Sequence, residues 1–123
     1  MTEHIELIVR YIDCWNEADA HRRRALIART WTEDASYVDP LMHGTGHDAI
    51  DAMIEAVQRR FPGFRFSLTR ADGLHEFVRF SWELGPEGGA ALIEGSDFGV
   101  VASDGRLQMI RGFLDRVPEG AVA

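Results

Sequence analysis

The hydrophobic period of the chain changes at Pro62-Gly63, and this change constrains the fold more than any other feature. Before this point, apolar residues recur three and four positions apart, a spacing typical of amphipathic helices. After it, apolar and polar residues alternate, which is typical of half-buried strands. We therefore expect an α+β domain in which the helices come first and pack on one face of a sheet.

Three segments before the change carry the helical period. The first helix is predicted from Glu3 to Asn16, and the second from Ala20 to Trp31, with Asp19 as its cap. The third is predicted to start at Thr45, with Asp48 three residues on as in a capping box, and to end at the period change. The chain is thus expected to supply about three N-terminal helices.

Alternation and turn residues predict the strands. The predicted strands cover residues 36–39, 65–69, 75–84, 90–101 and 107–117. A loop is expected at 41–46, and turns are expected at 71–73, 85–89 and 103–106. The hairpins predict an antiparallel sheet, and glycines inside the long strands permit bends. A strongly curved sheet covered by helices would form a cone that encloses a pocket.

Composition excludes several classes of partner. The 123 residues fit one domain, and the formal net charge of -7 argues against nucleic acid and against anionic membrane surfaces. No apolar run is long enough to span a membrane, the first residues do not read as a signal peptide, and the single Cys14 forms no internal disulfide. We expect a cytoplasmic protein. The run Arg22–Arg24 is interpreted as a solvated helix face rather than a binding patch.

Tyr37-Val38-Asp39-Pro40 is the segment that most suggests chemistry. Proline pushes the residue before it out of the α region, so Asp39 is expected at the end of a strand. A carboxylate held there among apolar neighbours is a candidate general base. An ordinary turn is the alternative, because Asp-Pro is also typical of turns.

Three local matches indicate a known superfamily. They are Arg10-Tyr11-Ile12, the segment from Trp31 to Pro40, and Asp97, which lies eight residues before Gly105. With these residues, the region from Glu6 to Val117 resembles the superfamily of nuclear transport factor 2, ketosteroid isomerase and SnoaL-type polyketide cyclases. The resemblance implies a cystatin-like α+β barrel, with one SnoaL-like domain over 1–117 and a flexible tail over 118–123.

The resemblance also implies a function. Asp39 would be the general base of an isomerase or lyase that moves a proton at carbon next to a carbonyl. Tyr11 and a protonated Asp97 would donate hydrogen bonds to the developing enolate oxygen. The ligand would be a small apolar molecule with a carbonyl or hydroxyl, and the chain would form a homodimer through its outer sheet face.

Each of these residues has a plain alternative. Tyr11 could be a core tyrosine, Asp39 a turn residue, and Asp97 an ion-pair partner of Arg79 or Arg111. The alternative function is a non-catalytic ligand-binding or dimeric interaction module of the same fold.

Further residues are expected to line the pocket. The predicted ligand-contacting side chains are Trp31, His43, Ile54, Phe66, Trp82 and Phe113. Gly95 and Gly99, on either side of Asp97, are expected to leave room for a ligand. Trp31 and Ile54 occupy places where some isomerases have tyrosines, which argues against steroid specificity. No metal and no cofactor are expected, because His43 and His47 lie in a loop without further ligands.

Overall fold

The structure, a computed structural model, describes residues 2–118. In chain order the elements are α1 (Thr2–Asn16), α2 (Ala20–Thr30), β1 (Trp31–Val38), β2 (His43–Thr45), α3 (His47–Arg60), β3 (Phe64–Leu74), β4 (Phe77–Pro86), β5 (Ile93–Val101) and β6 (Leu107–Arg116). The tail predicted for 118–123 lies, beyond Pro118, outside the described residues. No helix within residues 2–118 has the length and apolar character needed to cross a membrane.

The six strands form one curved, unclosed sheet in the order β2-β1-β6-β5-β4-β3. The predicted α+β class and the three helices are confirmed. The prediction of an antiparallel sheet is wrong at one place, because β1 pairs with β6 in parallel, with Tyr37 opposite Ile110. These two strands are far apart in the chain, so no hairpin fixes their relative direction. All the other pairings are antiparallel.

The segment around β1 departs from the sequence prediction. Trp31 begins β1 instead of ending α2, and the predicted loop at 41–46 contains β2. Thr45 pairs with Ser36 in the β1–β2 ladder, and the cap position belongs to the next residue, Gly46. The capping prediction is therefore wrong: α3 follows Gly46, whose φ is 88°, and no side chain caps it.

The predicted turn at 71–73 is also wrong, because these residues lie inside β3. Asp72 pairs across the ladder with Arg79, whose guanidinium lies 3.1 Å from its carboxylate. The chain reverses instead at His75-Glu76, where His75 has a φ of 55°. A cross-strand ion pair thus keeps an Asp-Gly sequence extended.

One arginine of the run at 22–24 is buried, which corrects the prediction of a solvated face. Arg23 is 1% exposed, and its Nε donates to Asp51 at 2.6 Å. Its other donors reach the backbone oxygen of Glu17 and the side chain of Gln58. Because Glu17 follows α1 and Asp51 lies on α3, this side chain joins α2 to the other two helices.

Candidate functional site

A cavity of about 230 Å³ lies between the helices and the sheet. Its walls are mainly apolar and include Trp15, Phe66, Trp82, Leu84, Ile93 and Leu114. Polar or charged atoms are contributed by Tyr11, Tyr37, Asp39 and Arg60. The volume is somewhat below the range of roughly 300–1,000 Å³ that is usual for cavities binding drug-sized ligands. The cavity therefore suits a compact, largely apolar molecule.

The first polar pair at this cavity joins α1 to β5. The hydroxyl of Tyr11 donates to Asp97 Oδ2 at 2.8 Å. Both side chains are 2% exposed, and Tyr11 lies on the cavity wall with Asp97 behind it. Asp97 Oδ1 is buried and has no hydrogen-bond partner among residues 2–118.

Burial raises the pKa of the Asp97 carboxyl from 3.8 to about 7. The hydrogen bond from Tyr11 and the neighbouring Trp82 indole oppose this rise in pKa, while the carboxylates of Asp39 and Asp115 add to it. Burial also raises the pKa of Tyr11 well above its ordinary value. A carboxyl with a pKa near 7 is partly protonated at neutral pH, so it can serve as a hydrogen-bond donor.

The second polar pair lies at the end of β1. The hydroxyl of Tyr37 donates to Asp39 Oδ2 at 2.6 Å. Asp39 Oδ1 accepts the backbone N–H groups of Leu41 and Met42 at 2.8 and 2.9 Å. The sequence suggested either a turn or a candidate base at a strand end for Asp39. Both descriptions fit the structure, because the turn after β1 holds the Asp39 carboxylate at the cavity wall.

Gly112 lies between the two pairs. It is opposite Asp97 in the β5–β6 ladder. A Cβ built on Gly112 would lie 2.7 Å from Asp97 Oδ1, 3.3 Å from Asp39 Cβ and 3.6 Å from the Tyr37 hydroxyl. The two tyrosine–aspartate pairs are therefore adjacent at Gly112, where no side chain separates them.

Sequence reasoning missed both Tyr37 and Gly112 as site residues. Tyr37 could have been found, because residues two apart on a strand point to the same face, and Tyr37 is two before Asp39. Gly112 could not have been found, since its position depends on the register between β5 and β6.

The predicted catalytic residues come together in the structure. Tyr11 and Asp39 line the cavity, and Asp97 contacts Tyr11. The alternative ion pairs of Asp97 are not found: Arg79 bonds to Asp72, and Arg111 donates to Ser36. Within residues 2–118, no three His, Cys, Asp or Glu side chains form a group that could hold a metal ion.

Two of the predicted ligand-contacting residues line the cavity. Phe66 and Trp82 form part of its wall and pack edge to face, with ring centroids 5.2 Å apart. A Cβ at Gly95 would collide with the Trp82 ring. Gly95 therefore makes room for a wall residue, not for a ligand as predicted.

The other four predicted ligand-contacting residues do not line this cavity. Trp31 and Ile54 are 0% exposed and belong to the core. Phe113 is 63% exposed, and His43 is exposed on β2. Phe113 points outward because side chains alternate along β6, and Gly112 and Leu114 take the inner positions.

Gly99 also differs from the prediction that it leaves room for a ligand. A Cβ there would lie 2.7 Å from Ile110 Cδ1 and 3.0 Å from Val78 Cγ2. Gly99 therefore admits core side chains.

Comparison with known proteins identifies the family. The family model described as a SnoaL-like domain matches residues 8–109. The chain belongs to the SnoaL-like family. A proposed isomerase of this family from Agrobacterium tumefaciens strain C58 is 44% identical, with 94% of this chain and 99% of that chain covered and a TM-score of 0.89. No curated protein gives a significant match.

More distant solved structures show the same fold. A proposed SnoaL-like polyketide cyclase from Jannaschia sp. CCS1 is 17% identical, covering 93% of this chain and 86% of that chain, with a TM-score of 0.73. A proposed ketosteroid isomerase from Kribbella flavida is 23% identical, covering 96% and 82%, with a TM-score of 0.69. At these identities the likeness concerns the fold alone.

Because the pKa of the Asp97 carboxyl is raised in the folded protein, the free energy of unfolding should depend on pH. The carboxyl has a pKa of about 7 in the folded protein against the ordinary 3.8, so the folded state binds this proton more tightly. Its contribution to stability is present below pH 4 and is lost as pH rises through 7. Between pH 5 and pH 8 the free energy of unfolding should fall by roughly 2–3 kcal/mol from this group.

Asp97→Asn should remove this slope, because asparagine resembles the protonated acid and does not titrate. Urea unfolding of both proteins from pH 5 to pH 8 measures the difference. Equal slopes for Asp97→Asn and wild type would contradict the assignment of the slope to Asp97.

Proposed function

We propose that the chain binds a small, largely apolar molecule with a carbonyl or hydroxyl and transfers a proton on it, as an isomerase or lyase does. The observation that carries this proposal is the buried Tyr11–Asp97 pair, which reaches an apolar cavity also lined by Asp39. A donor at one place and a carboxylate at another are the two groups that proton transfer next to a carbonyl requires.

The apolar walls support a particular orientation of the ligand. Phe66, Trp82 and Leu84 would pack against the apolar body. The ligand oxygen would lie against the Tyr11 hydroxyl, since a buried oxygen needs a hydrogen-bond donor. Tyr11 thereby selects ligands with a carbonyl or hydroxyl over plain hydrocarbons.

The proposed chemistry uses both pairs. Asp39, as a carboxylate, takes a proton from the carbon next to the carbonyl, and the carbonyl becomes an enolate. When Asp97 is protonated, it donates a hydrogen bond to Tyr11 Oη. The Tyr11 hydroxyl can then donate its own hydrogen bond to the enolate oxygen instead of to Asp97. Asp39 then returns its proton to another carbon in an isomerase, or to a leaving group in a lyase. Asp97 thus acts through Tyr11 and need not touch the ligand.

One relative supports the same class of reaction. The 44% identical protein is named as a proposed isomerase of the SnoaL-like family. The contacts of Asp39 favour the second candidate function, a non-catalytic binding module. Asp39 already accepts three hydrogen bonds, as a purely structural turn residue would.

Deuterium exchange separates the two functions. β-Tetralone, an apolar ketone, is incubated with protein in heavy water, and exchange next to its carbonyl is followed by NMR. Asp39→Asn should slow the protein-catalysed exchange by about 10²–10⁴-fold, because the general base is lost. Asp34→Asn is the matched control, since Asp34 lies exposed on β1 outside the cavity wall and should exchange like wild type.

Two results would count against catalysis by Asp39. If β-tetralone binds to wild type but Asp39→Asn exchanges it equally fast, the binding module is the better description. If neither binding nor exchange occurs with β-tetralone or with related cyclic ketones and phenols, the proposed ligand class is wrong.

We also propose that the chain forms a homodimer through the outer sheet face. Phe77, Phe98 and Phe113 are 37%, 39% and 63% exposed there. Phe77 and Phe98 stack with ring centroids 5.7 Å apart. An exposed aromatic group of this kind is typical of interaction surfaces.

Sedimentation tests the dimer. Wild type should sediment as a dimer at micromolar concentration, and Phe113→Glu should shift it toward monomer, because a charge would be buried in the interface. Glu87→Gln, an exposed change in the β4–β5 loop, should leave the dimer intact. A monomeric wild type would refute the proposal.

A further inference from the structure

We propose that Gly112 is a positioning residue of the site: its missing side chain lets the Asp97 carboxyl remain against Tyr11 while Asp39 and Tyr37 approach from the other side. The consequence for proton transfer rests on the proposed function, but the positioning itself does not. No sequence motif identifies this glycine, and its role follows from the ladder register and the contacts around it.

The backbone at Gly112 gives no reason for a glycine. The glycines with positive φ are Gly46, Gly63, Gly88 and Gly105, and Gly112 is not among them. Glycine weakens the interior of a strand, because it loses more conformational freedom on folding and packs no side chain. A glycine at this place in β6 therefore indicates a need for space.

The space at Gly112 is taken by polar atoms of the site. The nearest atom to an added Cβ is Asp97 Oδ1 at 2.7 Å, closer than real Cβ contacts allow. Asp39 Cβ at 3.3 Å and the Tyr37 hydroxyl at 3.6 Å follow. The same Asp97 Oδ1 is the buried oxygen without a partner among residues 2–118.

The two tight glycines of the neighbouring strand β5 border different atoms. Gly95 makes room for the Trp82 ring, and Gly99 for Ile110 and Val78. Gly112 differs from both, because it makes room for the carboxyl group of an aspartate. A side chain at 112 would push the Asp97 carboxyl away from Tyr11, and so would break the contact through which Asp97 acts.

Gly112→Ala tests the inference without any ligand. Loss of the Tyr11 hydrogen bond removes a donor that favours the charged form of Asp97 while the carboxyl stays buried. The midpoint of the stability loss with pH should therefore rise by about one pH unit above that of wild type. The groups that act on the pKa of Asp97 or couple to it are Tyr11 on α1, Tyr37 on β1, Asp39 after β1, Trp82 on β4 and, through its charge, Asp115 on β6; none of them is changed.

Gly99→Ala is the matched control. Its added Cβ would also meet an atom at 2.7 Å, but that atom is Ile110 Cδ1 in the core. Gly99→Ala should lower stability equally at every pH and leave the midpoint in place. A Gly112→Ala protein that keeps the wild-type midpoint would overturn the inference.

A double variant covers the case in which Gly112→Ala does not fold. Asp97→Ala removes the oxygen that the new Cβ would meet, so Asp97→Ala/Gly112→Ala should fold and unfold at the same urea concentration as Asp97→Ala alone. If Gly112→Ala lowers stability equally with and without Asp97, or if the double variant also fails to fold, the contact with Asp97 is not the reason for the glycine.

β-Tetralone exchange keeps the two proposals distinguishable. Gly112→Ala should slow exchange by about 10–100-fold, since a small displacement of a catalytic group has an effect of that order. A shifted pH midpoint in Gly112→Ala with no exchange by wild type refutes the proposed function and supports the positioning role. If wild type catalyses exchange but Gly112→Ala keeps the wild-type midpoint, the proposed function is supported and the positioning role is refuted.

Discussion

The burial of the Asp97 carboxyl behind Tyr11 is the constraint on which the rest of the site depends. A carboxylate without solvent is costly, so the acid is held toward its protonated form and its pKa rises to about 7. Tyr11 supplies one hydrogen bond, Trp82 covers the pair at β4, and Gly95 makes room for that indole. Two glycines of the sheet, Gly95 and Gly112, thus accommodate this group.

The two aspartates at the cavity have unlike surroundings. Asp39 is half-buried and accepts three hydrogen bonds, two of them from the backbone of its own turn. Asp97 is deeply buried and accepts one, from Tyr11. In the proposed function, these different environments suit one type of side chain to two tasks, a proton acceptor at Asp39 and a hydrogen-bond donor at Asp97. Because Gly112 has no side chain, the two aspartates can lie close together while each keeps its own hydrogen-bond partners.

The sequence allowed much of this arrangement to be predicted. The change of period placed the helices before the long strands, and the resemblance to a known superfamily named Asp39, Tyr11 and Asp97 as candidate residues, which the structure brings close together. Features that depend on distant pairing were not predictable. One such feature is the parallel direction of β1 and β6. Two others depend on how β6 pairs with β5: the position of Gly112 opposite Asp97, and the face of the sheet to which Phe113 points. No local pattern fixes this pairing. The burial of Arg23 was not predicted, because its partners are Asp51 on another helix and the backbone of Glu17 after α1.

Asp97 is expected to hold a proton near neutral pH beside Asp39. Carbon-13 NMR of the aspartate carboxyl carbons tests this most directly, with the Asp97 signal assigned by its loss in Asp97→Asn. This signal should titrate with a midpoint near 7, as the pKa of about 7 requires. A midpoint close to the ordinary 3.8 would contradict it, because Asp97 would then be ionised at neutral pH and could not donate to Tyr11.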